Sequence, residues 1–232
     1  MLTRSSIVPI IAIVLATSAA RADSDAELLD KAVHGIEAFY LKVTDFKADF
    51  KQEVRRAHLA RPLKKAGQVF FQRAGESVAR MRWDYTQPDR VYYVSDGEVL
   101  WSYEVATKQA VKMGVKDSEL YDSLKFLFGQ GDLRGSFDIT LGPKAADAGA
   151  PGALVAWVLR PKGGQQDYKS LTLFARSDTW EIQKTELVDP LDNVSTITFT
   201  GAKYEALKPE GFKFTPPKGA QVQDLTRPAP AP

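Results

Sequence analysis

The spacing of apolar side chains changes period several times along this chain, and the changes divide it into elements. Residues 7–16, IVPIIAIVLA, form an unbroken apolar run. Leu28, Leu29, Ala32, Val33, Ile36, Phe39 and Tyr40 then recur at helical spacing, behind a capping box in which Ser24 is N-cap and Glu27 stands three residues on. The spacing predicts an amphipathic helix over 25–41. After Thr44 the period falls to two: Phe46, Ala48, Phe50 and Gln52 share one face, and Lys47, Asp49 and Lys51 the other. Val69, Phe71 and Arg73 mark a second strand. A third alternates Ala79, Met81, Trp83 and Tyr85 with Arg80, Arg82 and Asp84. Residues 90–95 and 98–104 read as a hairpin turning at Asp96-Gly97. One more strand is expected at 108–113. Residues 117–128, DSELYDSLKFLF, return to helical spacing with Leu120, Leu124, Leu127 and Phe128, and Gly129 supplies a stop. Strands resume at about 136–142, 153–160, 168–176, 181–189 and 194–204, separated by a Gly/Ala/Pro-rich loop at 142–152 and other turns. The closing RPAPAP reads as a disordered tail over 226–232.

The sum is a mainly β chain with about eleven antiparallel strands and two or more helices in one domain. An antiparallel sheet of that length twists and curls toward a barrel. With helices over its open side, the interior is either a packed core or a cavity, and the pattern leaves both open.

The N-terminus changes the picture. Arg4, the apolar run of about ten residues and Ala20-Arg21-Ala22 make up a cleavable signal peptide over 1–22, with Asp23 as the first residue after cleavage. The run is far shorter than the ~20 residues that span a bilayer. The full chain has 31 Lys+Arg and 29 Asp+Glu; removal of residues 1–22, which carry Arg4, Arg21 and no acid, leaves it formally neutral. A neutral chain offers no electrostatic footprint for nucleic acid. The chain has no cysteine. That excludes a thiol nucleophile and a lipid anchor on an N-terminal cysteine, and about 210 residues bury a core without disulfides.

Catalytic chemistry is hard to assemble from what remains. His34 lies in the first helix and His58 in the polar loop RRAHLARPLKK, each without ligands at metal spacing. No G-x-S-x-G elbow is present. Asp84 reads as a solvent-face residue, and Asp96 and Asp192 as turn residues. The glycine pairs are not followed by phosphate-loop residues. No cofactor is expected. The feature that stands out is the apolar strand face formed by Val69, Phe71, Met81, Trp83 and Tyr85, with Trp101 and Tyr103 on a neighbouring strand. By alternation Arg73 falls on that same face, where it either finds a partner or sits at the strand end in solvent.

Taken in order, FKADFKQ at 46–52, GQVFFQR at 67–73, RWDYTQPD at 82–89, VSDGEVLWSY at 94–103, DNVSTITF at 192–199 and FKFTPPKGAQV at 212–222 resemble the LolA family of periplasmic lipoprotein carriers. The resemblance runs over nearly the whole chain after the signal peptide. It implies an incomplete, strongly curved antiparallel β-barrel with a helical lid enclosing a hydrophobic cavity, in a carrier domain over 23–225. It implies that Val69, Phe71, Met81, Trp83, Tyr85 and Trp101 line an acyl-chain cavity. Leu120, Leu124 and Phe128 would belong to the lid, and Arg73 would latch it and govern transfer. Ala74-Gly75 follows that arginine where the family usually has a proline. The implied partners are acylated lipoproteins, an inner-membrane ABC transporter of the Lol type and an outer-membrane receptor of the LolB type where one exists. The implied state is a periplasmic monomer without enzymatic activity. Two other readings are a lipid- or lipoprotein-sensing domain on the same fold, which would hold ligand without handing it on, and an enzyme with a small hydrophobic substrate, which would place titratable groups deep in the cavity.

Overall fold

Twelve strands hydrogen-bond into a single open, strongly curved sheet in a computed structural model that describes residues 14–75, 78–115, 133–143, 152–162 and 168–226, without the side chains of 14–25, 74 and 78. The helix expected at 117–128 lies outside these residues, as do most of the leader and of the C-terminal tail. In chain order the strands are β1 (Asp45–Arg55), β2 (Leu63–Ala74), β3 (Val78–Gln87), β4 (Val91–Ser95), β5 (Val99–Glu104), β6 (Gln109–Gly114), β7 (Phe137–Leu141), β8 (Leu154–Pro161), β9 (Ser170–Arg176), β10 (Ile182–Val188), β11 (Val194–Lys203) and β12 (Gln221–Asp224). In space the order is β12-β6-β5-β4-β3-β2-β1-β11-β10-β9-β8-β7. Two meanders, β1 to β6 and β7 to β11, are therefore joined through the antiparallel β1–β11 pair, which runs from Lys47↔Lys203 to Arg55↔Val194.

One strand more is present than the alternation predicts, and it breaks the antiparallel rule. β12 lies parallel to β6, from Gln221↔Gln109 to Asp224↔Lys112. QVQD is too short and too polar to stand out as a strand; backbone pairing with an edge defines it.

The first helix, α1, spans Val14–Lys42 and so begins before the expected cap at Ser24. The Ala-rich segment ahead of Ser24 consists mostly of good helix formers, and extending an existing helix costs little. The helical face read from the sequence is the buried one: Ala32, Val33, Ile36 and Tyr40 are all buried. They pack on Val155, Trp157, Leu159, Leu171, Leu173, Ala175 and Ile182 from β8, β9 and β10. The Tyr40 hydroxyl accepts the Ile182 amide proton at 3.1 Å, fixing the end of the helix over β10. Burial raises the Tyr40 pKa above the ordinary tyrosine value. A short second helix, α2 (Leu133–Ser136), leads into β7. We call the sheet face under α1 the inner face.

After β11 the chain turns back across the outer face. The Leu207 carbonyl accepts from Gln72 Nε2 at 2.8 Å, and the Leu207 amide donates to Asp45 Oδ1 at 3.0 Å. Arg82 Nη1 donates to the Gly211 carbonyl at 2.9 Å. Phe212, in a 3-10 turn at Pro209–Phe212, is 3% exposed. This strap ends in β12.

Candidate functional site

Cross-strand partners share a face, so the register fixes which side chains meet. Along the inner face of β1, β2 and β3 the rows are Phe46↔Phe71↔Met81, Ala48↔Val69↔Trp83 and Phe50↔Gly67↔Tyr85. β4 adds Ser95 beside Met81, Tyr93 beside Trp83 and Val91 beside Tyr85; β11 adds Phe199 beside Phe50 and Ile197 beside Gln52. The structure thus brings together Val69, Phe71, Met81, Trp83 and Tyr85 as the alternation predicts. Phe50 is the centre: its ring meets Trp83 and Tyr85 edge-on, both with centroids 4.9 Å away. Gly67 makes this possible. A Cβ there would fall on the Asp84 carbonyl, so only a glycine lets β2 and β3 approach this closely beside the rings. Phe46, Phe50, Tyr93, Ile197 and Phe199 also belong to this surface. They follow from the same alternation once the pairing of β1 with β11 is known.

Trp101 does not join them. Ser95 pairs with Leu100 and Val94 with Trp101, so Trp101 lies with Val94 and Arg82 on the outer face. There it packs on Phe214 of the strap at 5.7 Å, as does Tyr103 at 5.6 Å. The position that the sequence reading gives to Trp101 on the inner face belongs to Leu100 and Ser102, through the pairs Ser95↔Leu100 and Tyr93↔Ser102.

The apolar surface has polar limits at both ends. At one, the Tyr85 hydroxyl donates to Gln52 Oε1 at 3.0 Å, and Gln52 Nε2 donates to Ser195 Oγ at 2.9 Å. Burial, reinforced by nearby Tyr93, raises the Tyr85 pKa, so this hydroxyl stays a neutral donor. At the other end stands Arg73, on the face expected of it, and it has partners. Nη2 donates to the Tyr40 carbonyl at 2.7 Å and Nη1 to the Leu41 carbonyl at 2.9 Å. The Arg73 amide donates to Thr44 O at 2.6 Å. A helix leaves its last carbonyls unpaired and carries partial negative charge there, so a guanidinium fork suits this end. Arg73 therefore clamps the end of α1 to the sheet. The lid residues Leu120, Leu124 and Phe128 lie outside the described residues.

Residues 41–215 match the family model described as outer membrane lipoprotein carrier protein LolA. The chain belongs to the LolA family. The outer-membrane lipoprotein carrier protein of Dechloromonas aromatica (strain RCB) is 28% identical over 194 residues, 82% of this chain and 86% of that protein. Its counterpart from Methylobacillus flagellatus is 27% identical over 192 residues, 82% and 87% of the two chains. The crystal structure of an uncharacterized conserved protein from Thermus thermophilus shares the fold, with a TM-score of 0.50, 15% identity, and coverage of 88% of this chain and 99% of that one. LolA proteins carry lipoproteins and are not enzymes, which gives this chain a lipoprotein-carrier role. Among the described residues no helix is long and apolar enough to cross a membrane, and no cluster of His, Asp and Glu has the arrangement of a metal site.

Proposed function

We propose that the protein takes lipoproteins from the inner membrane, shelters their acyl chains against its inner face, and delivers them to the outer membrane. The observation that carries this reading is the aromatic and apolar face on which Phe50, Val69 and Trp83 cluster and Phe71 and Met81 follow in register, bounded by Arg73 at one end and the Tyr85–Gln52 pair at the other. Burying a methylene is worth ~0.8 kcal/mol, so one sixteen-carbon chain gains on the order of 12 kcal/mol on leaving water. Such cargo needs a protected surface for its crossing. A membrane satisfies the chains equally well, so extraction needs an energy source, in this reading an ABC transporter of the Lol type. A receptor of the LolB type would accept the cargo where one is present.

Val69, Phe71, Met81 and Trp83 are already buried, each no more than 7% exposed. Cargo enters, in this reading, only when a covering element moves, and the Arg73 clamp on α1 sets part of the cost. Leu120, Leu124 and Phe128 are assigned to that cover. The signal peptide over 1–22 directs the chain to the periplasm, and cleavage after Ala22 leaves the part of α1 that packs on the sheet.

Native mass spectrometry tests the proposal. The processed protein is mixed with energised inner-membrane vesicles that hold a triacylated lipoprotein. The expected product is a soluble one-to-one complex that is lost when the lipoprotein lacks acyl chains. Retention of free lipid alone, with no lipoprotein complex, would favour a sensing domain instead.

A further inference from the structure

The end of the sheet away from Arg73 has a different character. The β1–β2 connection reads RRAHLARPLKK over 55–65, with Arg55, Arg56, Arg61, Lys64 and Lys65 and no acidic residue. Arg55, Arg56, Arg61 and Lys64 are exposed. No ion pair engages these four side chains among the described residues. Between the cations the same segment exposes apolar side chains: Leu59 is 51% and Leu63 40% exposed. The β10–β11 turn stands beside it, tied by the Ala57 amide to Asn193 Oδ1 at 3.3 Å, and it exposes Leu191 to 73%.

Acidic groups nearby make no ion pair with these cations among the described residues. Asp189 is used inside its own turn, accepting from the Leu191 and Asn193 amides at 2.8 Å. Asp192 is paired with Lys169 at 2.6 Å. Directly behind the loop, on the outer face, a cleft of about 570 Å³ opens between the ends of β1, β2, β10 and β11. Four cations of the outer-face register, Lys51, Arg55, Lys64 and Lys184, line it against two carboxylates, Glu53 and Glu186; Lys65, also in its lining, shares the inner-face register with Gln52. A whole-chain charge balance near zero hides this concentration.

Cations interleaved with exposed leucines on adjoining loop tips match an anionic bilayer surface: the apolar tips enter the boundary of headgroups and acyl chains, and the cations meet phosphates. We propose that this basic, leucine-tipped end docks the protein on membranes rich in anionic phospholipid. The docking surface lies at the opposite end of β2 from the Arg73 clamp, so it orients the molecule without using the residues assigned to cargo.

The test is vesicle sedimentation with the processed protein, using phosphatidylcholine vesicles with and without phosphatidylglycerol. The expected result is binding only when phosphatidylglycerol is present, lost on adding salt. Each cation near an anionic surface strengthens attachment about fivefold, so R56Q/R61Q/K64Q weakens it on the order of a hundredfold. L59S/L191S weakens it several-fold. All these side chains are exposed, so both variants keep the wild-type melting temperature and circular dichroism. Absence of binding to phosphatidylglycerol vesicles, or binding that neither set of changes alters, overturns the proposal. If vesicle binding is absent while R56Q/R61Q/K64Q slows delivery to a receptor, the surface is a protein-docking face and the lipid assignment falls. Capture of a triacylated lipoprotein stays normal in both variants; failure of capture in the unaltered protein would count against the carrier reading and leave the vesicle result standing.

Discussion

Replacing Arg73 with Leu removes both hydrogen bonds to the end of α1, at 2.7 Å to Tyr40 O and 2.9 Å to Leu41 O. A hydrogen bond with a charged partner contributes ~1.5–3 kcal/mol, and a cation at a helix C-terminus adds ~0.3–1 kcal/mol. The full sum is not lost. The bond to Leu41 is solvent-exposed, water can replace the donor at the freed carbonyls, and leucine fits an apolar face. A net cost of about 2 kcal/mol to the clamped state is the reasonable magnitude, a factor of about thirty. If the clamp must open for cargo, Arg73→Leu holds a lipoprotein about thirtyfold more tightly and releases it more slowly, because less stability is forfeited on loading. The empty protein meanwhile melts about 4–8 °C lower, as expected for a chain of this size. The assay loads both proteins with a triacylated lipoprotein and follows transfer to an acceptor membrane, beside a thermal melt of the empty forms. Arg73→Lys keeps the charge without the planar fork and should fall between them. A lower melting temperature with unchanged transfer would refute the reasoning and leave Arg73 a purely structural clamp.

Further expectations concern the surface and its support. Gly67→Ala drives a Cβ into the Asp84 carbonyl, a backbone atom that cannot swing aside, and should cost about 2–3 kcal/mol in urea unfolding, against the gain usual for replacing a flexible glycine. Trp83→Ala removes an indole packed on Phe50 and should cost about 3–5 kcal/mol, with acyl-chain affinity lowered in a fatty-acid displacement assay. Phe214→Ala uncovers Trp101 and Tyr103 on the outer face; dye binding should rise and tryptophan emission shift to the red, while cargo capture persists. Burial opposes ionisation of Asp189, but the side-chain and backbone donors of Asn193 and the Leu191 amide outweigh it and hold its pKa below the ordinary aspartate value. Its contribution is thus present above the unfolded pKa, near ~3.9, and fades as pH falls through the lower folded value; Asp189→Asn should flatten that acid limb of a stability profile.

The strand alternation carries much of this architecture where a strand has one buried and one polar face, as β3 does; β8 and β9 bury consecutive residues, Val155-Ala156-Trp157 and Leu171-Thr172-Leu173, and their alternation is weaker. Met81, Trp83 and Tyr85 against Arg80, Arg82 and Asp84 need no structure to be sorted. Alternation does not say which face of one strand matches which face of the next. The hairpin at Asp96-Gly97 sets that, and its register turns Trp101 outward although its chemistry suits the inner face. Arg73 could be placed on the apolar face, but its partners are backbone carbonyls, which leave no mark in side-chain patterns. β12 escapes for a related reason: it is a strand only because β6 offers an unpaired edge, and the parallel pairing depends on where the strap arrives.

The place of β1 in the sheet bears on how such a chain reaches its destination. β1 has β2 on one side and β11, from the far end of the sequence, on the other, so Lys47 is opposite Lys203. Pairings between such distant segments form slowly, because loop-closure entropy is lost before the contacts repay it. On the proposed route through a translocation pore, one edge of β1 would stay open until nearly the whole polypeptide has emerged. The chain thus has little means of locking into its final form part-way, which suits the proposed export in an unfolded state.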